Sequence, residues 1–151
     1  KEIGKLMQNA KDKNLGGKIT AKKSSLFDLG GGEKYDFALF SFSLHHMPSA
    51  KALRKAFESA ENVIVFDHYM NSEWTDMCGE AGKVGREWKA ISRYERAFDG
   101  PIEAEYEFDN YETLLKYVAE CAAAVKRAKK YKNEIPVKIK SPRRIVALKK
   151  K

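Results

Sequence analysis

The sequence predicts an α/β fold whose mixed sheet is mostly parallel, ends in a C-terminal antiparallel hairpin and carries helices on both faces. Two uninterrupted apolar runs, at residues 37–40 and 63–66, are typical of strands that are covered on both faces. A helical pattern separates them, so strand, helix and strand form one right-handed parallel unit. With 151 residues, 43% of them apolar, the chain can bury one core, and we expect a single domain over residues 1–151.

The N-terminal segment is predicted to hold a helix and a short strand. Apolar side chains recur at helical spacing over residues 3–10, and the glycine pair at 16–17 ends the helix. Residues 19–23 are predicted to be the centre of a strand that ends at Asp28, and the glycines that follow it are predicted to form a turn.

The middle of the chain is predicted to run from one buried strand through a helix to a second buried strand. The first strand lies near residues 36–42, and Ser49 can cap the helix behind it. The second strand lies near residues 62–67 and ends at Asp67. Residues 74–98 are predicted to be mostly helical with charged faces.

The last third of the chain is predicted to add an extended segment, a long helix and two strands. Apolar and glutamate residues alternate over 102–108, which indicates a half-exposed extended segment. A capping box at Asp109 opens one long amphipathic helix. Strands near 135–140 and 143–149 are expected to pair as the terminal hairpin.

A stripe of three glutamates, Glu103, Glu105 and Glu107, has two interpretations. It would attract a cationic acceptor, or it would pair across strands with Lys138 and Lys140. We favour the pairing, because it explains the stripe without any further function.

The net charge of +8 is distributed unevenly along the chain. Residues 1–23 carry +5 and residues 126–151 carry +11, which leaves −8 for the segment between them. A uniformly basic nucleic-acid binder has no such acidic middle, although two basic ends would form one patch where they meet in space. RNA therefore stays an open alternative partner beside the simpler interpretation of a solvated, lysine-rich surface.

Cysteine usage and hydropathy exclude several classes of protein. Cys78 and Cys121 form no CxxC pair, so the sequence indicates neither a disulfide framework nor a zinc motif. No apolar run approaches the ~20 residues that cross a bilayer, and no signal-peptide core is present. We therefore expect a soluble, cytoplasmic protein without a membrane partner. Because residue 1 is a lysine inside a helical pattern, we also expect a fragment of a longer product.

Two neighbouring motifs carry a family resemblance. The segment YDFALFSFSLHHMP at 35–48 is followed by a helix and by VIVFDH at 63–68. This arrangement resembles the middle of class I S-adenosylmethionine-dependent methyltransferases. In that family a YD pair opens the fourth strand, an LHH element follows it and the fifth strand ends in an acidic residue. The family's domain is Rossmann-like, with the sheet order 3-2-1-4-5-7-6 and an antiparallel last pair.

The resemblance implies that the chain corresponds to the C-terminal two-thirds of that fold and transfers methyl groups from S-adenosylmethionine to a small-molecule acceptor. Ligands of an open parallel sheet bind outside the carboxyl ends of its strands, where the strand order reverses. The resemblance places two groups of cofactor-binding residues at these strand ends. One is the acidic residue that accepts a hydrogen bond from the adenine amino group, with its neighbour, and the other is the loop that lies against the methionine part of the cofactor. These cofactor-binding residues are Asp28, Leu29, Ser41, Phe42, Ser43 and His46.

Three residues near the same rim are candidate bases. Methyl transfer is an in-line displacement at a sulfonium methyl, so a base is needed only where the acceptor loses a proton. His46, His68 and Tyr69 are the candidates for this role. His45 and His46 are adjacent and are expected to point in different directions, and no ligand pair has helical spacing, so the sequence predicts no metal site. We expect His45 to be a structural histidine.

One part of the family pattern has no counterpart here. The family's first strand and its GxGxG turn, whose glycines let the backbone approach the cofactor, should precede residue 1. The run DLGGG at 28–32 is one form of that motif, but too few residues separate it from Asp36 for a helix and a second strand. We therefore predict that this chain alone binds S-adenosylmethionine weakly, whereas a version extended upstream binds it in the micromolar range, about −8 kcal/mol.

The same gap leaves the strand near 36–42 with an unpaired edge. Either the strand near 19–23 pairs with it, or the edge stays open and the isolated chain associates or aggregates. A partner chain or an upstream segment would then complete the sheet. Two alternative functions remain beside the small-molecule enzyme. One is an RNA methyltransferase or RNA-binding domain, and the other is a catalytically silent methyltransferase-like subunit or fragment.

Overall fold

The computed structural model describes residues 2–30, 32 and 34–150, which belong to two compact units, Lys1–Gly30 and Gly31–Lys151. The expectation of one domain over the whole chain stays a prediction. The helices are α1 (Glu2–Asp12), α2 (Ser49–Ser59), α3 (Glu73–Cys78), α4 (Ala81–Ile91), α5 (Tyr111–Val118) and α6 (Ala122–Ala128). The strands are β1 (Tyr35–Ser41), β2 (Ala60–His68), β3 (Glu95–Ile102), β4 (Glu105–Phe108), β5 (Val137–Lys140) and β6 (Arg143–Lys149). Short 3₁₀ turns lie at Leu26–Asp28, Leu44–His46 and Lys129–Tyr131.

In the first unit, α1 is the predicted helix, but the strand expected near 19–23 is wrong. Those residues are irregular and lead into the 3₁₀ turn at Leu26–Asp28. Ser25 caps this turn, because its hydroxyl accepts a hydrogen bond from the Phe27 N–H at 3.2 Å. Such local side-chain bonds compete with a strand that has no partner to pair with. Asp28 therefore ends an exposed turn rather than a strand.

The second unit contains a four-stranded sheet in the order β1-β2-β6-β3. Of its three strand pairs only β1 with β2 is parallel, whereas β6 is antiparallel to both neighbours. The prediction of a mostly parallel, Rossmann-like sheet is therefore wrong for the described residues. The reason is that β6 enters between β2 and β3 from the opposite direction and pairs with both of them along its length.

Strand β3 lies where the sequence predicts the end of a helical region. Residues 95–98 belong to the strand, with a register shift between Arg96 and Phe98. A Cβ atom on Gly100 would lie 2.7 Å from the Phe98 ring, so a larger residue here would displace that exposed side chain. Pairing with β6 thus outweighs the local helical preference, since sheet propensity depends mainly on neighbouring strands.

The predicted terminal hairpin is also wrong, because β5 and β6 pair with different strands. β5 forms a separate two-stranded ribbon with β4, whereas β6 joins the four-stranded sheet. The break at Ser141-Pro142 redirects the chain between them. The Ser141 N–H donates to the Ala104 carbonyl and the Pro142 carbonyl accepts from the Tyr69 N–H, both at 2.8 Å.

The β4–β5 ribbon confirms the cross-strand interpretation of the glutamate stripe for two of its members. Glu105 lies opposite Lys140 and Glu107 opposite Lys138. The Lys138 Nζ atom is 3.4 Å from Glu105 and 3.0 Å from Glu107. These residues are about half exposed, so the pairs guide the register of the ribbon more than they stabilise it.

A second small core lies behind this ribbon. The long helix predicted there is divided into α5 and α6, and Asn110 rather than Asp109 caps α5 by accepting from the Thr113 N–H at 3.0 Å. The buried members of this core come from α3, α5, α6, the 3₁₀ turn at Lys129–Tyr131 and the ribbon, and they include Met77, Phe108, Leu114, Val118, Tyr131 and Ile139.

Helices cover one face of the four-stranded sheet. Helix α2 packs against β1, β2 and α4, with a buried stripe that includes Leu53 and Phe57. On the opposite face, a row of apolar side chains crosses the sheet from Leu39 in β1 to Phe98 in β3. The side chains of Leu39 and Phe98 are 65% and 56% exposed. The expectation of helices on both faces is therefore wrong for the part of the chain that the structure describes. Within that part the outer edge of β1 stays open, the second of the two outcomes expected for it.

Two leucine substitutions of equal size test this division of the sheet. Leu148→Ala in β6 removes a fully buried side chain, and we expect it to lower the free energy of unfolding by about 2–5 kcal/mol. Leu39→Ala on the open face should change it by no more than about 0.5 kcal/mol. Urea unfolding of both variants measures the difference. A loss as large for Leu39→Ala would show that another surface covers β1 in solution.

Candidate functional site

The carboxyl ends of β1 and β2 bring several predicted site residues together. These two strands are parallel, and Ser41 lies opposite Phe66. The loop after β1 continues through residues 42–46, and β2 ends at His68. Side chains that follow parallel strands meet at one edge of the sheet, which is where open sheets bind ligands. We call this edge, formed by residues 41–46 and 67–69, the rim.

Phe42 is the residue that shapes the rim. Its φ angle of 47° lies in the left-handed region, which is rare for a bulky residue and costs about 1–3 kcal/mol. The Phe42 N–H donates to the Phe66 carbonyl at 2.9 Å, which extends the parallel ladder by one bond. Its ring packs 4.7 Å from the Phe66 ring and 5.0 Å from the His68 ring. The sequence gives no sign of this turn, because only the pairing with β2 imposes it.

His68 is buried beneath the rim and is held at two points. Its Nδ1 atom lies 3.2 Å from the Ser141 hydroxyl, and its backbone carbonyl accepts from Trp88 Nε1 at 2.8 Å. Burial lowers the pKa of His68, and the nearby Asp67 carboxylate opposes this shift in part. The imidazole is therefore neutral at neutral pH. Tyr69, the next candidate base, is partly buried, with the Arg144 guanidinium 4.5 Å from its ring centre.

A buried cluster of ionisable groups joins two rim residues, His45 and Asp67, to Glu87 of α4. His45 Nδ1 is 2.8 Å from Asp67 Oδ1 and 3.8 Å from Glu87 Oε2. Asp67 and Glu87 are fully buried, and His45 is 5% exposed. His45 Nδ1, Asp67 Oδ2 and both Glu87 oxygens lack a hydrogen bond of regular geometry. His45 is thus a buried histidine as expected, but its ring is not satisfied in the ordinary way.

Glu87 is not among the predicted site residues, although its position in the chain indicates that it is unusual. Glu87 lies three residues after Val84 and four before Ile91, so helical spacing places it on the buried stripe of α4. A carboxylate on an apolar stripe is unusual and needs a partner. Burial raises the pKa of Glu87 to about 9, and the neighbouring Asp67 adds to the shift. The Glu87 carboxyl group is therefore protonated at neutral pH.

Glu80, just before α4, faces both adjacent histidines. His45 Nε2 lies 3.7 Å from Glu80 Oε2, and His46 Nδ1 lies 3.7 Å from Glu80 Oε1. The two imidazole rings are 4.0 Å apart. The expectation that adjacent histidines point in different directions is wrong here, because the 3₁₀ turn brings both rings to one carboxylate. Two sets of residues have metal-ligand spacing: His45, His46 and Glu80, and His45, Asp67 and Glu87.

A basic groove of about 400 Å³ runs between α2 and α4 from His45 outward. Half of its twelve described lining residues are Lys or Arg, and none of the twelve carries a carboxylate. These cations are Lys51, Arg54, Lys83, Arg86, Lys89 and Arg93. All six cations come from the middle segment, whose net charge is −8. The net charge of that segment therefore gives no indication of the basic groove.

The remaining predicted site residues, Asp28 and Leu29, belong to the first unit and are exposed there. Their participation in one rim with Ser43 stays a prediction. The sequence matches no protein-family model, and no curated protein is significantly similar to it. The resemblance to methyltransferases therefore depends on the residues of the chain alone. No described helix is long and apolar enough to cross a bilayer.

The raised pKa of Glu87 predicts a pH-dependent stability. Between the ordinary value of 4.5 and about 9 the folded chain holds a proton that the unfolded chain releases. Stability from this group is therefore complete below pH 4.5 and is lost as the pH rises toward 9, by up to about 1.4 kcal/mol per pH unit. Urea unfolding across this range should show the slope in the unmodified chain and in Glu61→Gln, which changes an exposed residue. Glu87→Gln should remove it, and an unchanged slope would contradict the assignment.

Proposed function

We propose that the chain serves S-adenosylmethionine-dependent methyl transfer to a small-molecule acceptor in the cytoplasm. The observation that carries the proposal is the LHH turn at the carboxyl ends of the parallel pair β1 and β2, with the strained Phe42 beside it. The strand order adds support. When β1 and β2 are aligned with the family's fourth and fifth strands, the order β1-β2-β6-β3 corresponds to 4-5-7-6.

We expect the rim to bind one end of the cofactor only, because the family's glycine cradle for the other end has no counterpart among the described residues. Ser41 and Ser43 flank Phe42 with hydroxyl groups, and these residues with His46 would hold the methionine part. Gly30 and Gly32 have no protein atom within 4 Å of where a Cβ atom would lie, so packing within the protein does not require glycine at either position. We therefore propose weak binding by the rim alone.

The open edge of β1 accounts for this weakness. In the family order the first strand, which carries the glycine turn, lies against the fourth strand. The corresponding edge here belongs to β1, which among the described strands pairs only with β2. A partner chain or a further segment of the protein that pairs with β1 would complete the cradle. A catalytically silent subunit remains the alternative if nothing completes it.

When bound, S-adenosylmethionine supplies an electrophilic methyl group, and the chain's residues orient the acceptor and take up its proton. His46 has the better access of the two histidines, because its side chain is 52% exposed at the rim. His68 is neutral, as a base must be, but it is buried and its Nδ1 is engaged with Ser141. His46 is therefore the first candidate base, followed by His68 and Tyr69.

Amide chemical-shift mapping by NMR tests the cofactor proposal. Titration with S-adenosylmethionine should shift the amides of residues 41–46, with a Kd of about 1 mM, or −4 kcal/mol. Ser43→Trp should abolish these shifts by filling the rim, whereas Ser92→Trp, on an exposed residue after α4, should leave them unchanged. Shifts confined to other residues, or none at millimolar ligand, would contradict cofactor binding at the rim.

The basic groove favours a second candidate function, recognition or methylation of RNA. Six cations along one groove can neutralise several backbone phosphates, and single-stranded RNA binding then weakens with salt at a slope of about −0.7 per phosphate contact. The groove begins at His45, which is itself a rim residue, so an RNA bound in the groove would reach the proposed methyl-transfer site.

Charge reversal in the groove separates this candidate from the first. We expect Arg86→Glu with Lys89→Glu to weaken binding of a labelled single-stranded RNA at least about tenfold and to reduce the salt slope. Fluorescence anisotropy at several salt concentrations measures both quantities. Two substitutions outside the groove, Lys116→Glu on α5 and Lys126→Glu on α6, match the charge change and should have a smaller effect. Equal effects of the two pairs would indicate nonspecific attraction by net charge.

A further inference from the structure

Two imidazole rings of the rim lie close to one carboxylate from another element of the second unit. His45 and His46 belong to the 3₁₀ turn after β1, and Glu80 is the cap residue of α4. Each offers one ligand atom, and these atoms lie within 4.8 Å of one another. We propose that His45, His46 and Glu80 bind a divalent transition-metal ion of the zinc class.

The spacing of the donor atoms fits a tetrahedral ion. Zinc binds imidazole nitrogen and carboxylate oxygen at roughly 2.0–2.2 Å, which places two ligands of a tetrahedron about 3.4 Å apart. Each histidine nitrogen lies 3.7 Å from a Glu80 oxygen, close to that separation and too long for a hydrogen bond. The two distances reach different oxygens of Glu80, so the more exposed side chains of His46 and Glu80 would have to rotate to bring one oxygen and both nitrogens to the ion.

His45 is oriented for this role by a carboxylate behind it. The side chain is 2% exposed, and its Nδ1 has no hydrogen bond of regular geometry although it is 2.8 Å from Asp67. With Nδ1 directed at Asp67, Nε2 is directed at Glu80. A carboxylate behind a ligating imidazole is the arrangement that fixes the tautomer and raises ligand basicity in metal sites. Asp67 is therefore a positioning residue, not a ligand.

The inner set, His45 with Asp67 and Glu87, fits a metal less well. The 2.8 Å separation of His45 and Asp67 is a hydrogen-bonding distance, and Asp67 Oδ1 already accepts from the His68 N–H at 2.8 Å. Both carboxylates are fully buried, so an ion has no route to them. The outer set is open to solvent at His46, which leaves a fourth position for water.

Positively charged side chains near His45, His46 and Glu80 oppose the binding of a metal ion. Lys83 Nζ lies 3.4 Å from Glu80 Oε1 and would have to leave when an ion binds. Its side chain is 44% exposed, so it can turn into solvent at little loss. Arg86 and Lys89 line the same groove and reduce the affinity for a cation in a salt-dependent manner.

Cobalt titration of the tag-free, chelator-treated chain tests the proposal. We expect one Co²⁺ per chain with the intense visible absorption of a tetrahedral site, displaced by equimolar Zn²⁺. His46→Ala and Glu80→Gln should each weaken binding at least about tenfold. Glu61→Gln, on an exposed residue of β2, should bind as the unmodified chain does. Circular dichroism of each variant confirms that it is folded.

Two further variants distinguish the proposed site from binding by the thiols and from direct ligation by Asp67. Asp67→Asn should weaken binding about 10–100-fold but keep the tetrahedral spectrum. Loss of a ligand would instead change the spectrum as well. A Cys78→Ser, Cys121→Ser variant should retain binding, because the two thiols are the competing soft ligands. Absence of binding in the unmodified chain, loss with the cysteine variant, or full binding by His46→Ala would overturn the proposal. None of these outcomes depends on the methyl-transfer proposal, since no cofactor is present.

Discussion

The antiparallel ladder between β2 and β6 is the interaction on which the rest of the second unit depends. It runs over Asn62–His68 and Arg143–Lys149, and its inward side chains, among them Val65 and Val146, are fully buried. Because β6 also pairs with β3, this strand joins the parallel pair to the third element of the sheet. Residues near the two ends of segment 60–149 are thereby paired with each other. The resulting sheet provides the face that α2 packs against, and α4 packs against α2.

The same ladder determines the chemistry at the end of β2. It keeps β2 regular as far as His68, so Asp67 is held in the interior, facing α4, where a lone charge would be strongly disfavoured. His45 lies against Asp67 and Glu87, and Glu80 and His46 continue the set toward solvent. The rim and the proposed metal site are thus two sides of one buried charge cluster.

Charge in this protein is organised by helix face and not by segment. The basic groove takes five of its six cations from α2 and α4, whereas several carboxylates of the same segment lie in the buried cluster, along the β4–β5 ribbon and beside Arg144. Small ligands at the rim and polyanions in the groove would approach from neighbouring directions, because His45 belongs to both. The open face of the sheet, with Leu39 and Phe98, is a separate apolar surface.

The sequence by itself determined the parallel unit of β1, α2 and β2, because an unbroken apolar run and a helical stripe depend only on local periodicity. It likewise determined the amphipathic α1, the extended β4 with its glutamates and the location of the rim loop. Only the tertiary structure decided that β6 leaves β5 and enters between β2 and β3, that residues 95–98 are strand, and that Phe42 adopts a left-handed turn. Pairing partners far apart in the chain make those choices, and the convergence of His45, His46, Glu80 and Glu87 depends on them, since no spacing within one segment encodes it.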